Sequence, residues 1–204
     1  MCRICSNGSL FRSIQFLIAA SLIVLIQNNL FAKEKYKLIC SQQLLEESRK
    51  ILVKQIGITE KTNNNDGDVE KYLKSVNLTK GMPYCAAGQY WCFEEARKLL
   101  GNNLINPLPK TGLANLIFNY AKKIGIASIY IAEIDDLIVW RKDNTAFGHI
   151  ERVIKTGKAG WVETIAFNIK IPNSNKQGVY QVKRNLYYPL SRMRIRGIVG
   201  FIKE

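Results

Sequence analysis

Histidine is almost absent from this sequence: a single residue, His149, stands in 204. Beyond residue 32 there is also no C-x-x-C pair, so the ligand spacing that builds zinc sites is missing. No run of about 18 to 20 apolar residues occurs. The longest, "FLIAASLIVLI" from Phe16 to Ile26, has 11 and falls short of a membrane span. No helix-turn-helix pattern, zinc-finger spacing or aromatic ribonucleoprotein motif is present, which sets nucleic acid aside as a partner. Internal repeats are lacking, and the only low-complexity run is "NNND". Acidic residues are scarce, 16 against 30 Lys and Arg, for a net charge of +14.

The short apolar run follows a start that carries Arg3 and Arg12 and no acid, the pattern of a secretory signal peptide. Residues 1–32 are expected to be that signal, with cleavage after Ala32; an uncleaved membrane anchor is the alternative. Export to the periplasm, cell envelope or exterior follows, with no stable membrane span once the signal is removed. Residues 33–204 are enough for one well-buried domain and too few for two comfortable ones. Without Arg3 and Arg12 the chain keeps a charge of +12. Outside the cytoplasm such a field draws cell-envelope polymers and phospholipid surfaces, or serves solubility alone.

Cys40, Cys85 and Cys92 remain after signal removal, and three thiols cannot all pair within one chain. Seven helical steps would set Cys85 and Cys92 about 10 Å apart, beyond the roughly 7 Å limit for a disulfide. Cys92 is expected to pack on the inner side of its helix or to pair with Cys40.

Apolar spacing predicts four helices: from Ser41 to Ile56, around Val69 to Val76, from Cys85 to Leu100, and from Leu113 to Ile124. Glycines at 57, 101 and 125 close three of them. From residue 128 the character changes. "LIVWR", "HIERVIK", "WVETIAFN", "GVYQVKR" and "IRGIVGFI" are short, rich in branched and aromatic residues, and separated by turn residues. Helices first and strands afterwards predict an α+β domain, with N-terminal helices packed on a C-terminal antiparallel sheet.

Chemistry centres on "GMPYCAAGQYWC". Cys85 falls where the third helix begins, and unpaired N–H groups at a helix start favour a thiolate. Ala86 and Ala87 leave room beside the sulfur. Cys85 is a candidate nucleophile, with a small buried hydrophobe as the plainer reading. His149 is the only histidine available as its base, although a lone histidine is more often an ordinary half-buried side chain. If the turn of the "HIERVIK"–"WVETIAFN" hairpin centres on Gly157 and Lys158, His149 lies opposite Ala166, and Asn168 is diagonal to it on the same face. The Asn168 amide would then orient the imidazole, unless Asn168 is simply a strand-end turn residue. Glu163 falls on the opposite face.

These residues resemble the CHAP family, the cysteine- and histidine-dependent amidohydrolases and peptidases that cut peptidoglycan. "GMPYCAAGQYWC" is similar to the family's nucleophile motif, a glycine, a proline and an aromatic residue ahead of Cys-Ala-Ala, then Trp-Cys. "DLIVWRKDNTAFGHIERV" resembles its strand, loop and Gly-His strand, and "TIAFN" sits where many members read Thr-Ile-Glu-Gly-Asn. "GITEKTNNNDGDVEKYL", "TGLANLIFNYAKKIG", "GVYQVKR" and "GFI" resemble one bacterial and phage branch, so the likeness spans about Leu45 to Ile202.

The resemblance implies a papain-like fold and a secreted hydrolase of peptidoglycan amide bonds that works through a thioester without a metal or organic cofactor. Cys85 would be the nucleophile, His149 the base and Asn168 the orienting residue. Two departures stand out. The family's glutamate falls on Ala166, and Gly88 and Gln89 replace an apolar pair after Cys-Ala-Ala. A catalytically weak or silent wall-binding domain is the alternative that Ala166 favours. An exported toxin or a transpeptidase would use the same chemistry on another acceptor.

Overall fold

The computed structural model describes residues 33–62, 64–101, 103–143, 145–171 and 175–204. The expected signal segment, residues 1–32, lies outside them. Residues 34–204 form one compact unit, an α+β fold. Its four α-helices are α1 (Gln42–Val53), α2 (Glu70–Ser75), α3 (Cys85–Leu100) and α4 (Ala114–Ile124). Its strands are β1 (Glu34–Cys40), β2 (Ile126–Ser128), β3 (Leu137–Arg141), β4 (Gly148–Thr156), β5 (Trp161–Ile169), β6 (Gly178–Asn185) and β7 (Arg194–Lys203). Among the described residues no helix is long and apolar enough to cross a membrane.

The helices form where apolar residues recur on one face. In α1, Leu44, Leu45, Ile51 and Leu52 are buried, and the Ser41 hydroxyl accepts the Leu44 N–H at 3.3 Å to cap the helix. In α4, Ala114, Ile117, Phe118 and Ala121 make the equivalent stripe.

The sheet differs from the expected antiparallel one. Its order is β2-β1-β7-β3-β4-β5-β6, and β1 runs parallel to β7, so the sheet is mixed and its second strand precedes every helix in sequence. Strand β1, "EKYKLIC", gives little sign of itself because lysines occupy it. One of these, Lys35, is buried, and its ammonium donates to Ile131 O at 2.7 Å and to Glu133 and Asp136 carboxylates, both at 2.6 Å. A lysine tolerates burial only with such partners.

Strand β3 is buried along nearly its whole length because both faces of the sheet are covered. Leu137 and Val139 join the core beneath the helices, with Ile150, Ile165, Phe167 and Val199. Ile138 and Trp140 join a smaller outer cluster with Val153, Val162 and Leu186.

Gly88 marks the closest approach of α3 to the sheet. A Cβ there would stand 2.4 Å from Cδ1 of Phe167, so the ring occupies the space that a side chain on the helix would need. Gln89 beside it is buried with neither amide atom hydrogen-bonded, and nothing in the structure explains it. Gly88→Ala is expected to lower the urea midpoint. Overpacking costs about 1–3 kcal/mol, against the roughly 1 kcal/mol that alanine gains over glycine within a helix. In the pair Gly88→Ala/Phe167→Leu the two losses are expected to be less than additive, by about 0.5 kcal/mol or more. Strict additivity would mean that the methyl and the ring do not meet.

Candidate active site

Helix α3 begins at Cys85, after Pro83 and after Tyr84, whose backbone (φ −116°, ψ 16°) is not helical. Its first intrahelical bond runs from the Gly88 N–H to the Tyr84 carbonyl at 2.8 Å, which leaves the N–H groups of Cys85, Ala86 and Ala87 outside the ladder. No side chain caps this end. An anion formed beside Cys85 therefore meets unpaired donors and the positive end of a 16-residue helix.

His149 is the second residue of β4. Gly148 precedes it because the chain passes close to β3: a Cβ at 148 would sit 2.3 Å from the Trp140 carbonyl oxygen and 3.1 Å from Asn115 Nδ2. The Asn115 amide donates to the Ala146 and Phe147 carbonyls at 2.9 and 3.1 Å. Asn115 is itself held by Arg196, which donates to its backbone oxygen at 3.1 Å and to Oδ1 at 2.9 Å. The loop leading into His149 is thus pinned from α4. The Trp140 ring lies beside the imidazole, centroids 6.1 Å apart.

The imidazole is 7% exposed and has partners on both sides. Its Nε2 lies 3.1 Å from Oε1 of Glu151. Cys85 is the ring's other neighbour and acts on it by hydrogen bonding and by charge. Burial disfavours the charged ring, but the bonds to Cys85 and Glu151 and the negative charges there outweigh it and raise the His149 pKa to about 9.

Glu151 is fully buried. Arg184 donates to it from Nη2 at 2.8 Å and from Nε at 3.0 and 3.1 Å, and the Thr164 hydroxyl donates to Oε2 at 2.5 Å. Burial alone would raise this carboxyl, but the bonds and charges of His149 and Arg184 hold it well below the usual carboxylate range.

The structure brings Cys85 and His149 together. Asn168 sits elsewhere in the network. Its Oδ1 accepts the Tyr84 N–H at 3.1 Å, and its Nδ2 donates to Asn65 Oδ1 at 3.2 Å and Gln177 Oε1 at 2.7 Å. It steadies the residue before Cys85, and the partner of His149 is Glu151.

The reason is register. The ladder pairs Glu151, not His149, with Ala166. The turn lies further along than expected, with Ala159 and Gly160 at positive φ, and a bulge between Val153 and Lys155 offsets the strands again. Asn168 adopts the left-handed conformation, φ 59°, where β5 slips against β6, and this turns its amide towards the start of α3. Glu163 bonds to Lys155 and Gln181 and takes no part.

The sequence did hold a sign of Glu151. His-x-Glu within a strand places both side chains on one face, and "GHIERV" reads that way.

Cys40 and Cys92 are buried free thiols, not a disulfide. Burial pushes both up to about 12, against the pull of the Arg152 guanidinium. Among the described residues no cluster of three His, Cys, Asp or Glu side chains could hold a metal ion.

Because His149 is the only histidine, its ring resonances can be followed by NMR without assignment. They are expected to titrate near 9 in the native protein, and Cys85→Ser or Glu151→Gln should move that midpoint down. A folded pKa above the ordinary 6.5 stabilises the native state fully below pH 6.5, and that contribution is lost as pH rises through about 9. A native midpoint at or below 6.5 would contradict the two hydrogen bonds. No protein-family model, curated protein or solved structure matches the chain.

Proposed function

We propose that the protein is an exported cysteine hydrolase of peptidoglycan amide bonds, with a papain-like fold of the CHAP type. The observation that carries this reading is the line of contacts Cys85–His149–Glu151, a thiol at a helix start bonded to an imidazole that a buried carboxylate holds from behind. Nucleophile, base and orienting acid are the three parts that thioester chemistry needs.

In the proposed reaction the Cys85 thiolate attacks the carbonyl carbon of a stem-peptide or glycan–peptide amide. The oxyanion faces the free N–H groups at the start of α3. His149 delivers its proton to the leaving amine, and the acyl group stays on sulfur as a thioester. Water then gives a proton to His149 and attacks the thioester, and the carboxylate product leaves as the thiolate is restored. Glu151 holds the ring through Nε2 and stabilises its charged form. No step calls for a metal or organic cofactor. Met82 and Phe147, just ahead of Cys85 and His149 in the chain, expose their apolar side chains and offer a rim for substrate.

Glu151 also answers the departure at Ala166. The two positions face each other across the β4–β5 ladder, where paired Cβ atoms lie about 4.5–5.5 Å apart. An acid at 151 can therefore serve the imidazole that an acid at 166 serves in the family. This counts against the silent wall-binding domain that Ala166 favours.

Turbidity loss of purified cell wall tests the reading. Cys85→Ala is expected to abolish clearing, and Glu151→Ala to lower kcat by roughly 10²-fold or more with little change in KM. Adding Ala166→Glu to Glu151→Ala should restore part of the rate, because the carboxylate returns from the paired strand. Mass spectrometry of the digest should show hydrolysed rather than re-joined muropeptides. Equal clearing by Cys85→Ala and the native chain would refute the mechanism.

A further inference from the structure

The closed end of the β4–β5 hairpin carries a feature that the Cys85 site does not use. A cleft of about 380 Å³ opens there, lined by Lys155, Thr156, Gly157, Trp161, Glu163 and Lys183, with buried Val162 as its apolar floor. This volume falls within the range of small-ligand sites. Lys155 stands six residues beyond His149 on β4, about 20 Å away at roughly 3.3 Å per residue, so the cleft is separate from the thiol.

We infer that this cleft is a second binding site, for a sugar polymer that bears carboxylates. Trp161 is 50% exposed and offers a flat apolar ring face, while its neighbour in sequence, Val162, is anchored in the outer core cluster. An exposed tryptophan on an anchored strand presents large contact area at little entropic cost. Lys183 is exposed and stands opposite Glu163 in the β5–β6 ladder, where its charge helps to hold the Glu163 carboxyl low. Lys155 is 3.4 Å from Glu163 across the ladder, and Glu163 also accepts a hydrogen bond from Gln181 at 2.8 Å. The cleft therefore holds two ammonium groups and one carboxylate, a net positive charge, with Lys158 exposed at the adjoining turn.

This mixture selects among polyanions. A sugar ring stacks on Trp161, its hydroxyls donate to Glu163 and exchange hydrogen bonds with the Thr156 hydroxyl, and its carboxylates pair with Lys183 and Lys155. A phosphodiester chain carries a charge on every unit and would meet Glu163 with repulsion. The charge of the whole chain, +14, adds attraction at longer range. The naming of that polymer as wall glycan rests on the function proposed above; the chemistry of the cleft does not.

The test uses the full chain carrying Cys85→Ala, so that no turnover removes the ligand. Calorimetric titration with soluble, peptide-free strands of alternating N-acetylglucosamine and N-acetylmuramic acid is expected to show binding. Trp161→Ala and, separately, Lys183→Glu should each weaken it about tenfold, as should replacement of the strand by a neutral N-acetylglucosamine oligomer of equal length. Undiminished binding in both variants, no binding at all, or tighter binding of a single-stranded oligonucleotide would overturn the assignment.

The two proposals fail separately. Cleavage of a small soluble muropeptide by the chain with Cys85 intact should survive Trp161→Ala within about twofold, a difference of some 0.4 kcal/mol. Absence of cleavage in every form would refute the hydrolase reading while glycan binding stood. Cleavage with no glycan binding would refute the cleft alone.

Discussion

A carboxylate with no solvent exposure organises this site. Removing a charge from water costs several kcal/mol unless hydrogen bonds and opposite charges replace the lost hydration, and Glu151 receives both. Each partner comes from a different place in the sheet: His149 from its own strand, Thr164 from β5, Arg184 from β6. The antiparallel hairpins that bring β5 and β6 beside β4 thus do more than bury apolar surface, since any slip in their register would strand the charge. The fold and the electrostatics specify each other, and His149 is held as a consequence.

The four helices and five of the seven strands were legible in the sequence, because their apolar residues repeat with periods of 3.6 or 2. Strand β1 was not. Its lysines mask it, and the acidic partners that make Lys35 acceptable inside lie about a hundred residues away. The parallel pairing of β1 with β7 followed it out of reach, since such pairing leaves no local mark. Cys85 and His149 were legible from residue type and setting. The place of Asn168 was not, because it depended on a hairpin register that a turn at Ala159–Gly160 and one bulge both alter, whereas Glu151 was within reach from the His-x-Glu spacing on one strand. A positive φ at Asn168 also decides which neighbour its amide meets.

Under the proposed reading, the two departures from the family pattern near the site share one physical form. At the α3–β5 contact the helix lacks bulk at Gly88, and Phe167 supplies it from the sheet, where the family has glycine. At the β4–β5 contact the carboxylate absent from position 166 stands on the paired residue, Glu151. In each case a property is kept at the point of contact while the chain position that provides it changes. Close packing demands that the volume be filled once, and the imidazole demands one acid behind it. Neither demand specifies which side of the interface responds. Both substitutions on β5 fall on adjacent residues, Ala166 and Phe167, which point to opposite faces of the strand. One therefore bears on the helix packing and the other on the charge network.

The order of charges along the site carries the argument further. From the surface inward, Arg184 is positive, Glu151 negative and His149 positive, with Cys85 next at the start of α3. The carboxylate stands between two cations, so each charge in the row lies beside its opposite. The free N–H groups of α3 favour an anion beside Cys85. Under the proposed reading, donors and charges already in place before substrate arrives leave little dipole reorganisation for the moment of attack. Arg184 is not a partner of the ring itself, yet it belongs to the same row: without it Glu151 would be drawn towards protonation, and the imidazolium would lose the charge that favours it.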